Sequence, residues 1–143
     1  MNSKQNESID STRDFERGFN INFTPCWFNS YYRQEARAYG LVSVTLDQYV
    51  ESILFLLNVA KQDTPSSKSA AQVLLSLFDG YAWQLNINDL GWLDYQGLHH
   101  AIVAIQGRIT VQQKPHIFIE NGEAEFSELQ KKWQCLHTKN RCS

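Results

Sequence analysis

Between residues 45 and 60 the apolar positions Leu46, Tyr49, Val50, Ile53, Leu54, Leu57 and Ala60 recur at intervals of three and four. That spacing marks one face of an α-helix. Thr45 and Gln48 stand at capping-box positions ahead of it, so the element has a defined start. Leu56 and Val59 widen the face, which predicts a helix at the buried centre of the fold. Asp63-Thr64-Pro65 closes this run and opens the next, with Thr as N-cap and Pro where a missing N–H costs nothing. Ala70, Val73, Leu74, Leu77 and Phe78 carry the second stripe, and Asp79-Gly80 stops it. So short a connection between two amphipathic helices predicts an antiparallel hairpin.

The pattern then changes. Leu85, Ile87 and Leu90 alternate with Asn86, Asn88 and Asp89, which predicts a short extended stretch with turns, Trp92 and Leu93 plugging the core beneath it. Asp94 is placed to cap a further helix whose face is Leu98, Ala101, Ile102, Ile105 and Ile109, interrupted by Gly97 and Gly107. Ile117 and Ile119 alternate before Asn121-Gly122, a turn signal. A last helix from about Glu123 shows Phe126, Leu129, Trp133 and Leu136 at helical spacing. Upstream, Thr24-Pro25 opens a helix from Cys26 to Tyr39 that Gly40 can close.

The fold class that follows is mainly α. A single compact helical domain of about five helices is expected, with one or two short extended segments and a disordered N-terminal tail. Residues 1–22 read as the flexible tail, 23–136 as the domain and 137–143 as a frayed C-terminus. Leu54, Leu57, Leu74, Leu77, Ile102, Ile105 and Trp133 are expected to meet in the core.

Composition narrows the function classes. The 143 residues fit one domain, and 43% hydrophobic with 20% charged residues is ordinary for one. A net charge of −2 with scattered Lys and Arg argues against a nucleic-acid partner. The one cationic cluster, Lys131, Lys132, Lys139 and Arg141, follows Glu123, Glu125 and Glu128, an order that suits a helix dipole. No apolar run approaches the length of a membrane span, and Met1 to Asp14 lack the apolar centre of a signal peptide. Three cysteines without such a signal point to reduced thiols in the cytoplasm.

Aromatic density is the feature that composition adds. Phe15, Phe19, Phe23, Trp27, Phe28, Tyr31, Tyr32 and Tyr39 fall within 25 residues. Interfaces favour such rings together with Arg. Trp27, Phe28, Tyr31, Tyr32, Arg33, Arg37 and Tyr39 are therefore the expected partner-binding residues.

Chemistry offers less. A structural zinc site usually carries two short ligand pairs. Here only Cys135-x-His137 is short, and Cys26, Cys142, His99, His100 and His116 supply no second pair, so no metal and no cofactor is expected. His99-His100 falls inside a helix, which turns the two rings about 100° apart. No Ser, Cys or Asp motif accompanies the pair, and no glycine-rich phosphate loop exists. The chain is expected to be no enzyme, with catalysis by His99 or His100 as one alternative and a nucleic-acid-binding regulator as another. A metal-free monomer that needs no disulfide is expected.

Leu57-x-Val59-Ala60-x-x-Asp63-Thr64-x-x-Ser67, then Ala71-x-x-Leu74-Leu75-x-Leu77, then Asp89-Leu90-x-x-Leu93-Asp94, form a pattern completed by Phe126, Leu129 and Trp133. The pattern, over about residues 46–134, resembles an uncharacterised bacterial family of unknown function. That family occurs in small accessory proteins of plasmids, phages and integrated islands. The resemblance implies a setting: an inhibitor or adaptor of a mobile element that binds a host or element-encoded protein complex, with anti-CRISPR proteins as the concrete form. It brings no catalytic residues with it.

Overall fold

The computed structural model describes residues 44–141. Among them four α-helices and three short 3₁₀ segments follow one another, and no strand occurs. The helices are α1 (Leu46–Ala60), α2 (Pro65–Phe78), α3 (Tyr95–Val111) and α4 (Gly122–Lys132), and the 3₁₀ segments are Ile87–Trp92, Pro115–Phe118 and Gln134–Leu136. The fold is mainly helical, as the periodicity predicts. The helix expected over 26–39 lies outside the described residues, as do Trp27, Phe28, Tyr31, Tyr32, Arg33, Arg37 and Tyr39.

Local chemistry sets the boundaries. Thr45 Oγ1 accepts from the Gln48 N–H while Gln48 Oε1 accepts from the Thr45 N–H, so two donors that no helical carbonyl could reach are satisfied. Thr64 and Ser67 do the same for α2, behind Pro65. Asp94 Oδ1 accepts from the Gly97 N–H at the head of α3. Gln112 ends α3 in the left-handed conformation (φ 58°), and Asn121 precedes α4 in the same one (φ 56°). The Asn121-Gly122 signal is thus a turn into a helix. At Gly122 any side chain would run into the backbone carbonyl group of His116, 2.7 Å from its carbon.

Leu57, Leu74 and Leu77 are buried as expected, together with Tyr49, Ile53, Leu56, Val73, Leu75 and Phe126. The centre of the core is α2, not α1: every residue from Ala70 to Leu75 is buried, Gln72 included. This helix is touched by all three others and by the first two 3₁₀ segments.

The predicted core needs correction on one helix in particular. Ile102 and Ile109 are 53% and 60% exposed, and Ile105 and Leu98 are half-buried. What α3 buries is its small face, Gly97, Ala101, Ala104 and Gly107, with Thr110 and Val111. There Tyr49 of α1 fills the space over Gly107, and its hydroxyl donates to the Gln113 carbonyl at 3.1 Å. Large side chains of α1 against small ones of α3 bring the two helices close; Ile102 and Ile109 are left on the far side, while Ile105 packs at the edge of the core. Leu54 is also 48% exposed, lining a groove with Phe118 and Ile119. Trp133 is half-buried at the end of α4, where its Nε1–H donates to the Ala60 carbonyl at 3.1 Å.

The two expected extended stretches are wound instead. Residues 87–92 and 115–118 form 3₁₀ turns, and extended backbone is kept to flanking positions such as Asn86 and Ile119. Beyond residue 136, the Thr138 N–H donates to the Ala82 carbonyl at 2.9 Å and Arg141 reaches the Gln84 carbonyl.

Candidate functional site

The corner between α2 and α3 is built around one buried amide. Gln72, 1% exposed on an otherwise apolar stretch of α2, donates from Nε2 to Asp89 Oδ2 at 2.8 Å and accepts from the Asn86 N–H at Oε1. Ser69 Oγ donates to the Asp89 carbonyl at 2.6 Å, and Asn86 Oδ1 accepts from the Asn88 N–H. A buried amide left unpaired costs about 1–3 kcal/mol, so these bonds hold the 3₁₀ segment in one place.

Leu85, Asp89, Leu90 and Leu93 are turned inward, Leu93 against the core as expected, and the corner shows its larger remaining side chains to solvent. Ile87 is 71% exposed, Trp92 65% and Tyr95 93%. Trp92, expected to plug the core, does not. The alternation of 85–90 hides this corner. One signal could have revealed it: a glutamine at a central position of the α2 stripe needs a polar partner from another element.

The histidines are brought together in part. His99 is exposed and His100 half-buried, with ring centroids 5.2 Å apart. His100 stacks on Phe55 at 4.1 Å, and its Nδ1 lies 2.9 Å from Ser52 Oγ. Burial holds the His100 imidazole below its usual pKa, helped by the charge of His99 and opposed by Glu51. Ser52 is 2% exposed, so its oxygen faces the core and not a substrate. His116 lies between Phe78 and Phe126, and His137 packs edge-on against Trp83 while accepting from the Lys139 N–H. Among the described residues no three His, Cys, Asp or Glu side chains could gather on one metal ion; Cys26 and Cys142 lie outside them.

The cations are largely engaged. Lys132 Nζ lies 3.1 Å from Asp63 and donates to the Lys61 and Gln62 carbonyls. Lys61 pairs with Glu125 at 2.7 Å and Lys131 with Glu128 at 3.4 Å. An open cleft of about 460 Å³ beside Trp83 is lined by Lys131, Lys139, Gln134 and Asn140. No described helix is long and apolar enough to cross a membrane.

The residues that carried the resemblance turn out to be structural. Thr64 and Ser67 cap α2, Asp94 caps α3, Asp63 and Trp133 tie α1 to α4, and Asp89 anchors the corner. No curated protein and no solved structure matches the chain. A family model described as a family of unknown function (DUF7673) matches residues 50–134, from inside α1 to just past the Trp133 tie. With more than half of its length matched, the chain belongs to DUF7673.

Proposed function

We propose that this protein is a non-enzymatic accessory protein of a mobile genetic element that acts by binding a protein complex, in its most concrete form as an inhibitor of a host defence complex. The observation that carries the reading is the pinned corner presenting Ile87, Trp92 and Tyr95. Large apolar side chains on a segment whose backbone is already ordered bind with a smaller ordering cost, and Trp and Tyr are enriched among residues that dominate interfaces. Trp27, Phe28, Tyr31, Tyr32, Arg33, Arg37 and Tyr39, outside the described residues, are further partner-binding residues in this reading. The mobile-element setting rests on the resemblance alone.

The alternatives draw less support. A catalytic role for His100 would need a reachable nucleophile, and its nearest hydroxyl, Ser52, is buried. A nucleic-acid partner would need unpaired cations on one face, whereas Lys61, Lys131 and Lys132 are matched by carboxylates.

The test is a phage-plating assay in bacteria carrying a defined CRISPR or other defence system, with the full chain expressed in trans. Restored plating is expected, together with co-purification of one defence component. Trp92→Ala, and separately Tyr32→Ala with Arg33→Ala, should weaken both while the circular dichroism spectrum is kept. Full activity of all these variants would overturn the proposed surface. Failure across the defence systems tried, with no defined complex bound, would overturn the inhibitor reading.

A further inference from the structure

The end of α4 and the turn that follows it enclose the cleft beside Trp83. Gln130 and Lys131 line it from α4, Gln134 from the 3₁₀ segment behind, and His137 and Lys139 from the turn. The turn is held by its own bonds. Asn140 Nδ2 donates to the Gln134 carbonyl and Arg141 Nε to the Leu136 carbonyl, both at 2.8 Å, and the Lys139 N–H donates to His137 Nδ1 at 3.1 Å. That last bond leaves the neutral His137 ring its proton on Nε2, as a donor. Trp83, 6% exposed, packs edge-on against the same ring at 4.9 Å. Its indole N–H has no acceptor among the described residues and is not sealed from solvent. A buried indole N–H ordinarily has an acceptor, and the cleft is the place for one.

All eight side chains that line the cleft can donate a hydrogen bond, and none is Asp or Glu. Lys139 has no carboxylate partner among the described residues. Lys131 has Glu128 at 3.4 Å, but both side chains are mostly exposed, and such a pair contributes only ~0–1 kcal/mol. Arg141, behind the turn, is bonded to carbonyls alone. With Glu128 set against one of these three cations, two positive charges remain around the cleft, in a chain whose net charge is −2. Carbonyls just past a helix end would repel an anion. Here those of Gln134 and Leu136 are occupied by Asn140 and Arg141.

We infer that this cleft binds a phosphate monoester carried on a small organic body. A phosphoryl group bears about −1.5 to −2 charge at neutral pH and three strong acceptor oxygens. It therefore matches both the surplus charge and the number of donors, whereas a carboxylate brings one charge and two oxygens. The volume, about 460 Å³, is that of a small-molecule site and exceeds what a bare ion needs. Lys131 and Lys139 meet the phosphoryl oxygens, and the Trp83 and His137 N–H groups supply neutral donors. Two lysines around one cleft serve a single phosphoryl group, while a nucleic acid needs a row of cations along its backbone. The cleft shares no lining residue with the Trp92 corner, so the site stands whether or not that corner binds a protein.

Proton–nitrogen NMR of the full chain, titrated with ribose 5-phosphate and with adenosine monophosphate, tests it. The two esters separate a sugar phosphate from a nucleotide, and ribose, adenosine and inorganic phosphate are the controls. At least one ester should give saturable shifts, at millimolar concentration or below, centred on the Trp83 indole signal and the amides of residues 137–140. Lys139→Glu and, separately, Lys131→Glu should weaken binding roughly tenfold or more while the spectrum stays that of the folded chain, since both positions are exposed. Lys68→Glu, exposed on α2 and outside the cleft, should leave binding unchanged. Absence of saturable shifts with both esters, or shifts centred elsewhere, would overturn the inference. So would equal shifts with ribose or adenosine, inorganic phosphate bound as tightly as both esters, or binding indifferent to both lysine variants.

Discussion

Tyr49 lies across Gly107. A methyl group on residue 107 would sit 2.7 Å from Cγ and 2.9 Å from Cβ of the tyrosine, which is fully buried with Phe118 edge-on to its ring. The ring cannot swing clear without breaking its hydroxyl bond to the Gln113 carbonyl. Burial raises the phenol pKa, so the group stays a neutral donor at all ordinary pH values. Gly107→Ala should therefore destabilise the domain by ~1–3 kcal/mol through overpacking. Gly91→Ala, where the added carbon meets nothing within 4 Å, should change stability by less than ~0.5 kcal/mol. Urea denaturation of the two variants side by side checks the contrast.

Leu54 and Leu57 separate two meanings of an apolar residue on α1. Leu57 is 5% exposed and Leu54 nearly half exposed. Leu57→Ala should cost ~2–5 kcal/mol, and Leu54→Ala below ~1 kcal/mol, because only the first leaves a cavity. Equal losses in a thermal or urea melt would contradict the groove drawn around Leu54.

The His100 imidazole is held below the usual value of 6.5 by burial first and by His99 second. Its folded pKa is thus lower than its unfolded one, and between the two the unfolded chain binds the extra proton. Stability contributed by this group is complete above about pH 6.5 and declines as pH falls through the folded pKa. The unfolding free energy should rise with pH across that window, and His100→Asn should flatten the rise. A wild-type stability that is level or falls with pH over the same range would contradict the buried neutral ring.

Gln112 closes α3 at φ 58°, where a side-chain-bearing residue is strained and glycine is not. Its backbone N–H donates to the Arg108 carbonyl, a bond that any residue but proline keeps. Gln112→Gly should stabilise the protein by ~0.5–1 kcal/mol, read as an upward shift in melting temperature.

Whatever depended on neighbours in sequence was legible there. Thr45 with Gln48, Thr64 with Pro65, and Asp94 each announce a helix start because the cap and the donor it satisfies lie three residues apart. Whatever depended on a choice between two faces was not. On α3 the isoleucines and the small residues both recur at helical spacing, and hydrophobicity alone favours the isoleucines as core. The outcome turns on Tyr49, a residue of another helix whose bulk needs a glycine opposite. The Trp92 corner was hidden in the same way, since its conformation is set by Gln72, fourteen residues upstream of Asn86.

The tie between the two ends of the fold has a consequence during synthesis. The carbonyls of Ala60, Lys61 and Gln62, at and just past the end of α1, are met by Trp133 and Lys132, which lie about seventy residues downstream. A ribosome adding about 5–20 residues per second leaves α1 waiting several seconds for them, and part of the exit tunnel must be cleared as well. During that interval the α1–α2 hairpin exposes the apolar faces that α3 and α4 later cover. The nascent chain is open to aggregation for that time, and slow codons after α2 would lengthen its exposure rather than help it fold.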